Sequence, residues 1–263
     1  MPSRPRLVAT DLDGTLLRSD GTVSPATAET LDAIELAGVD VVFVTGRPPR
    51  WMTALADGVG AHGVAVCSNG ALIVDLKNAE ILRSRLLEPP LLAEVVGTIR
   101  RELPHVFFGV EYGWDFAAEP GYRATEVAAT LASTADVVAR PVAKLLVKDR
   151  GGDADGLLAE LTELVGELVT CTHSGLGSGL AEISAAGVTK ASGLAELCAE
   201  RGIQAADVAA FGDMPNDLPM LAWAGRPYAV ANAHPDVLAA VPGRAPANDD
   251  DGVARTLREL FGL

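Results

Sequence analysis

Leu7-Val8-Ala9-Thr10-Asp11-Leu12-Asp13-Gly14-Thr15 is a short apolar run that stops at two carboxylates, one residue apart, and a glycine. The run reads as a strand buried on both faces, as the strands of parallel sheets are. Strand side chains alternate faces, so Asp11 and Asp13 can share one side of the sheet edge. Open α/β sheets bind their ligands at the carboxyl ends of such strands. Taken alone, Asp-Leu-Asp-Gly is also an ordinary turn. A calcium loop is excluded, because Leu16 and Thr22 stand where that pattern requires Gly and Glu.

Working outward, Asp40 to Thr45 is a second apolar run and ends in Gly46-Arg47-Pro48. Between the two runs, Ser24-Pro25 supplies an N-cap and a first-turn proline, Leu31, Ile34 and Leu36 an apolar face, and Gly38 a stop, so the connection reads as a helix. The same alternation returns late in the chain. Thr189 to Arg201 reads as a helix stopped by Gly202, Val208 to Phe211 as a strand, Asp217 to Ala224 as a helix and Tyr228 to Val230 as a strand. Both segments therefore belong to one parallel α/β sheet with helices on its two faces.

The middle of the chain reads differently. It predicts a helix after Pro89-Pro90, a strand at Val106 to Val110, a helix near Tyr122 to Leu131 and a strand at Leu145 to Lys148. A helix at Asp155 to Val165 and strands near Leu168 to Thr172 and Leu180 to Ser184 follow. This is the pattern of an inserted α+β module, and no repeat of fixed period is present.

The 263 residues are 49% hydrophobic and 21% charged, which excludes disorder and low complexity. A formal net charge of −14 repels phosphate backbones and anionic lipids, so neither nucleic acid nor a membrane surface is expected as a partner. No apolar run is long enough to span a bilayer, the start of the chain lacks a signal-peptide core, and Cys67, Cys171 and Cys198 show neither disulfide nor zinc spacing. The expectation is a soluble cytoplasmic protein with buried, reduced cysteines and no obligatory protein partner evident.

Chemistry gathers at three strand ends. Two carboxylates at Asp11 and Asp13 suffice for one to attack as a nucleophile while the other donates a proton and later takes one back. Thr45-Gly46-Arg47 adds a hydroxyl, an open backbone amide and a guanidinium, which suit a phosphoryl group. Gly212-Asp213-Met214-Pro215-Asn216-Asp217 brings two more carboxylates and an amide to the same edge. Only Lys77, Lys144, Lys148 and Lys190 are lysines, and Lys190 opens the helix before the Asp213 strand, where it can meet a phosphate as a point charge. A carboxylate attacking a phosphate dianion needs a cation between them, and oxygen-only ligands favour Mg2+.

With these residues in place the sequence resembles the haloacid dehalogenase superfamily, and within it the Cof-type phosphatases with a C2B cap. The motifs are DLDGT at Asp11 to Thr15, VTGR at Val44 to Arg47, SNGA at Ser68 to Ala71, GVTK at Gly187 to Lys190, GDMPND at Gly212 to Asp217 and ANA at Ala231 to Ala233. The resemblance implies a Rossmann-like, doubly wound parallel-sheet core from residues 1–82 and 188–263, with an α+β C2B cap inserted at 83–187. It implies that Asp11 is phosphorylated during turnover and that Asp13 is the general acid and base. Mg2+ would be held by Asp11, Asp213 and the Asp13 carbonyl, with Asp217 a supporting acid near it. Thr45, Gly46, Lys190 and Asn216 would contact the phosphate, and Arg47 and Asn69 would shape the site.

The expected activity is hydrolysis of a small phosphorylated metabolite, a sugar phosphate or phosphorylated cofactor precursor. The alternatives are a phosphomutase, or a dedicated trehalose, sucrose or mannosylglycerate type of sugar-phosphate phosphatase. A receiver-like switch also phosphorylates an Asp beside a Thr and a Lys, but it needs only about half this chain and no insert. A catalytically silent binding protein would not need all these side chains.

Several features are set apart from this site. The loop Gly175 to Gly179 lies between two predicted strands and lacks the context of a nucleotide-binding loop. Asp249-Asp250-Asp251 reads as the cap of a helix from Val253 to Phe261. His173, Tyr112, Trp114, Lys144 and Lys148 lie in the inserted module and are minor candidates for contact with the leaving group.

Overall fold

The computed structural model describes residues 4–52, 63–122, 130–175 and 179–263. It forms two compact units, Met1–Leu82 with Thr189–Leu263, and Arg83–Val188. Among the described residues, no helix is long and apolar enough to cross a membrane.

The first unit is built on eight strands: β1 (Leu7–Thr10), β2 (Asp40–Val44), β3 (Val64–Cys67), β4 (Leu72–Asp75), β5 (Glu80–Ser84), β12 (Val208–Gly212), β13 (Arg226–Val230) and β14 (Gly243–Ala245). Their order is β14-β13-β12-β1-β2-β3-β4-β5. From β14 to β3 each neighbouring pair is parallel. The chain leaves β1 toward β2 and β3, and later returns on the other side of β1 through β12. The order therefore reverses between β1 and β12, the switch point at which open α/β sheets place their sites. Leu7, Val8 and Ala9 on β1 and all of Val208 to Phe211 on β12 are sealed from solvent, as strands covered on both faces must be.

Helix α1 (Pro25–Leu36) is capped by the Ser24 hydroxyl, which accepts from the Thr27 amide, and it buries Leu31 and Ile34 completely. Leu36, expected on the same apolar face, is 90% exposed, because its place in the last turn carries it off the 3.6-residue stripe. The sheet is mostly parallel, as expected, and departs from that beyond β3. β4 runs antiparallel to β3, joined to it by a tight turn in which Ser68, Asn69 and Gly70 all have positive φ. Four residues from Ser68 to Ala71 leave no room for the crossover that a parallel partner requires.

The second unit is a six-stranded sheet of order β10-β11-β9-β6-β7-β8. Its strands are β6 (Phe107–Glu111), β7 (Phe116–Ala118), β8 (Thr130–Leu131), β9 (Lys144–Lys148), β10 (Val169–Thr172) and β11 (Leu180–Ala185). They pair antiparallel except β7 with β8. Helices α2 (Pro89–Glu102) and α4 (Ala154–Val165) share a core with one face of this sheet, through Leu92, Val95, Ile99, Leu157 and Leu161 against Phe108, Val110, Leu145 and Val147. A short helix α3 (Thr134–Val137) carries a Ser133–Asp136 capping box. The helix expected near Tyr122 to Leu131 falls largely outside the described residues, and its end is corrected, since Thr130–Leu131 is the strand β8.

The remaining helices belong to the first unit: α5 (Lys190–Glu200), α6 (Leu218–Trp223), α7 (Pro235–Ala240) and α8 (Gly252–Phe261). Cys67 and Cys198 are buried and Cys171 is half-buried, all as free thiols. Burial pushes the thiols of Cys171 and Cys198 up to about 11, which keeps them protonated and inert.

Candidate active site

The ends of β1 and β12 lie side by side, tied by the Asp11 amide donating to the Phe211 carbonyl at 3.0 Å. Each strand is followed at once by an aspartate, so Asp11 and Asp213 emerge from one edge. After Asp11 the chain turns sharply through Gly14, at φ +75°. A side chain at Gly14 would collide with the Asp213 carboxylate, so glycine is required both for the turn and for the close approach. Thr15 then donates to Asp213 Oδ1 at 2.8 Å and fixes that carboxylate.

Lys190 enters from the first turn of α5, whose start is set by a Thr189–Ser192 capping box. A lysine here faces the positive end of the helix dipole and lacks water, two unfavourable terms. They are offset by Asp11 at 2.8 Å and Asp217 at 2.7 Å from Nζ. Burial works against the ammonium, but these two carboxylates outweigh it and hold its pKa above the ordinary lysine range. Asp217 is wholly buried. Its second oxygen accepts from the amides of Asp213 and Met214, both at 3.0 Å, so this carboxylate at once anchors Lys190 and shapes the turn after β12.

Three buried carboxylates face one ammonium. Oxygens of Asp11, Asp213 and Asp217 all lie within 4.8 Å of one another. Burial, with the repulsion of Asp217 and Asp213, raises Asp11 well above the usual carboxylate range despite Lys190. Burial and Asp217 push Asp213 up to about 6. Such a set holds negative charge that its own lysine does not neutralise. Hard oxygen donors with surplus charge fit a divalent cation of the Mg2+ type.

A second arc of residues runs along β2 and β3. Thr45, wholly buried, follows β2 and donates its amide to the Val66 carbonyl, while its hydroxyl accepts from the Arg47 amide at 3.0 Å. The Asn69 amide donates to the Thr45 carbonyl, and Asn69 Oδ1 accepts from Asn216 Nδ2 at 3.1 Å. Arg47 makes a two-point pair with the carboxylate of Asp13, at 2.7 Å and 2.5 Å. Gly46 lies half-buried between Thr45 and Arg47. The arc thus closes on itself through Asp13, Arg47, Thr45, Asn69, Asn216, Asp217, Lys190 and Asp11. Asp13 differs from the others in exposure, with 55% of its side chain open to solvent.

Sequence reasoning gave no role to Thr15 or Ser68. Thr15 lies inside the quoted DLDGT motif, yet nothing local signals its bond to Asp213. The Ser68 hydroxyl and Asn216 Oδ1 are buried with no partner among the described residues, and Ser68 and Asn69 both adopt left-handed backbone. Buried polar atoms and strained backbone of this kind concentrate at functional sites.

Some minor candidates are repositioned. Asp251 makes no side-chain cap on α8; it pairs with Arg18 at 2.9 Å, and Asp249 accepts from the amide and hydroxyl of Ser19. In the second unit His173 is sealed from solvent and bonded to Asp155 at 2.9 Å. The Tyr112 ring is covered by the Arg140 guanidinium. Lys144 is buried and paired with Glu182 at 2.9 Å. Trp114 is half-buried, and Lys148 closes β9.

The class is an α/β fold with a mostly parallel sheet and a cluster of titratable side chains at its switch point, where such sheets bind ligands. Residues 8–257 match the family of haloacid dehalogenase-like hydrolases, and the chain belongs to that family. It is 27% identical to the 5-amino-6-(5-phospho-D-ribitylamino)uracil phosphatase YitU of Bacillus subtilis, with all of both chains covered. A haloacid dehalogenase-like hydrolase from Bacteroides thetaiotaomicron superposes with a TM-score of 0.79 at 27% identity, covering 98% of this chain and 100% of the other. SMU.1108c from Streptococcus mutans shares the fold, with a TM-score of 0.86 at 21% identity over 98% of this chain and 100% of that one.

Proposed function

We propose that this hydrolase is a Mg2+-dependent phosphomonoesterase that removes phosphate from a small metabolite through a phosphorylated Asp11. The observation that carries this reading is Lys190, fully buried and bonded to both Asp11 and Asp217 with Asp213 beside them. A cationic side chain buried among acids at a sheet switch point suits a phosphoryl group better than any neutral ligand.

Asp11 attacks phosphorus, and the bond from phosphorus to the leaving oxygen breaks. Asp13 gives that oxygen its proton. Water then attacks the phosphorylated Asp11, Asp13 takes the water's proton, and inorganic phosphate leaves. Lys190, Thr45, the Gly46 amide and Asn216 hold the phosphoryl oxygens as charge moves. Arg47 fixes the Asp13 carboxylate at the strand edge, and Asn69 holds Asn216. Mg2+ would be held by Asp11, Asp213 and the carbonyl of Asp13, with Asp217 supporting. Its charge would screen the approach of the Asp11 carboxylate to a phosphate dianion.

The leaving group is a sugar or a polyhydroxylated cofactor precursor. The Bacillus subtilis relative is named for the phosphate ester of a ribitylamino-substituted uracil, a compound of that kind. In this reading residues 83–187 are a C2B-type cap that selects among such substrates.

The test is hydrolysis of an aryl phosphate and a panel of phosphorylated metabolites with Mg2+ or with EDTA, ranked by kcat/KM. Turnover that requires Mg2+ and is abolished in Asp11→Asn is expected. Asp13→Asn should lose about 100-fold or more and accumulate phosphorylated protein. Metal-independent turnover, or full activity in Asp11→Asn, overturns the reading, and isomerisation of hexose phosphates without release of phosphate would make the chain a mutase.

A further inference from the structure

The ANA string at Ala231 to Ala233 takes no part in the chemistry above, yet it and the residue that follows it bond to both acid-bearing loops. Asn232 Nδ2 donates to the Gly14 carbonyl at 2.7 Å. Two residues on, the His234 amide donates to the Asp213 carbonyl at 2.8 Å. One short turn after β13 thus holds the backbone of the loop bearing Asp13 and the backbone of the loop bearing Asp213.

The turn is itself held from behind. Asn232 Oδ1 accepts from the Asn248 amide at 3.0 Å, which sets the orientation of the Asn232 amide group and leaves its Nδ2 aimed at Gly14. The buried Asn248 side chain donates to the Leu17 carbonyl at 2.9 Å, at the far end of the same loop. Arg18 and Ser19, next in the chain, are gripped by Asp251 and Asp249. The loop from Asp13 to Ser19 is therefore fastened at Gly14, Leu17, Arg18 and Ser19 by residues more than two hundred positions away.

We propose that Asn232 is a positioning residue, which ties the Asp13–Gly14 turn to the Asp213 loop and so keeps the Asp13 carboxyl set for proton transfer. This rests on the acid and base role given to Asp13 above. The Asn232 contact is one peptide unit from Asp13, whose side chain is mostly exposed and otherwise steadied by Arg47. Proton transfer tolerates little misplacement, so a slack Gly14 carbonyl should cost rate where a proton must be delivered and little elsewhere.

The test compares p-nitrophenyl phosphate, whose leaving group departs with little need of a proton, with glycerol phosphate, whose alkoxide needs one. In Asn232→Ala, kcat/KM for glycerol phosphate should fall about tenfold further than for p-nitrophenyl phosphate, with KM changed less than about twofold. Amide hydrogen exchange at Leu12 to Leu17 should quicken by about tenfold, while the strands keep their protection. Should Asn232→Ala fail to fold, the isosteric Asn232→Asp decides, since it keeps the volume but sets an acceptor against the Gly14 carbonyl. An equal loss on both esters, no loss, or unchanged exchange overturns the proposal. If the unsubstituted chain hydrolyses neither ester, the phosphatase reading fails by itself, and exchange alone then decides whether Asn232 holds the loop.

Discussion

Replacing Lys190 by Met keeps most of its volume and removes the charge that Asp11, Asp213 and Asp217 share. The two contacts, 2.8 Å and 2.7 Å long, are each worth about 6 kcal/mol of gross attraction at an effective dielectric near 20. Dehydrating a buried ammonium takes back several kcal/mol, and losing one partner of a buried pair leaves a net cost of about 3 to 5 kcal/mol. Lys190→Met should therefore lose about that much stability in urea unfolding with EDTA at neutral pH. The loss should fall on residues 1–82 and 189–263, as local hydrogen exchange would report, and spare 83–188. Adding Asp217→Asn removes one of the stranded charges while an amide oxygen still accepts from the Asp213 and Met214 amides. The double variant should recover about 1 to 2 kcal/mol, a coupling well above the scatter for independent sites. The sign with pH follows from acids whose folded pKa is raised. Their deficit is full above that pKa and disappears as protons bind, so the single variant should regain stability relative to the unsubstituted chain as pH falls. A loss below about 1 kcal/mol, or strict additivity in the double variant, would refute the assignment of Lys190 as the counter-charge of this cluster.

Three other measurements probe separate parts of the molecule. A divalent cation held as proposed must displace protons from Asp213, pushed up to about 6, and from Asp11, raised well above the usual carboxylate range, so Mg2+ or Mn2+ affinity by calorimetry should weaken as pH falls through about 6; a flat profile from pH 5 to 7.5 would contradict that proposed placement. Glu119→Ala should destabilise the second unit by about 2 to 4 kcal/mol, because it strands Arg100, the Thr134 hydroxyl and the Phe108 amide, all bonded to that buried carboxylate. Burial opposes the Glu119 charge, but these bonds outweigh it and hold its pKa below the usual glutamate value, so its contribution is complete above about pH 4.5 and fades below. Gly193→Ala would set a methyl group 2.7 Å from Val66 Cγ1 and 2.9 Å from Gly70 Cα, forcing α5 off the sheet at a cost of about 1 to 3 kcal/mol in thermal unfolding, and moving Lys190 with it; an unchanged melting temperature would show that the contact yields freely.

Much of the parallel half of the sheet is legible from local pattern. Leu7 to Thr10 and Val208 to Phe211 are continuous apolar runs that stop at carboxylates, and Ser24-Pro25 announces a helix by capping chemistry alone. The antiparallel turn at Ser68 to Ala71 is only partly legible in that way. Asn69-Gly70 is a pair that favours left-handed backbone and marks turns, but Ser68 has no such preference, and the surrounding site holds it there. Leu36 misleads for a related reason, since hydropathy says which residues prefer burial but not whether a partner surface reaches them. The acids at Asp249 and Asp251 look like helix caps in sequence and instead grip Ser19 and Arg18, because an ion pair in one case and two hydrogen bonds in the other, all distant in the chain, outcompete a local amide.

The order of strand, helix and acid along this chain is set by residue types acting over a few positions: apolar runs, caps, glycine stops, and carboxylates where strands end. Those short-range preferences were enough to indicate a parallel sheet and an insert, and the motifs from DLDGT to ANA carried the resemblance to a family. Which atoms meet was decided only when the chain folded. The Lys190 ammonium meets Asp11, Thr15 fixes Asp213, and Asn232 holds the carbonyl of Gly14, contacts between residues about two hundred positions apart. The physical reason is that such contacts are created by sheet register and strand order, which bring remote positions to one edge and remove the water that would otherwise weaken every charge there.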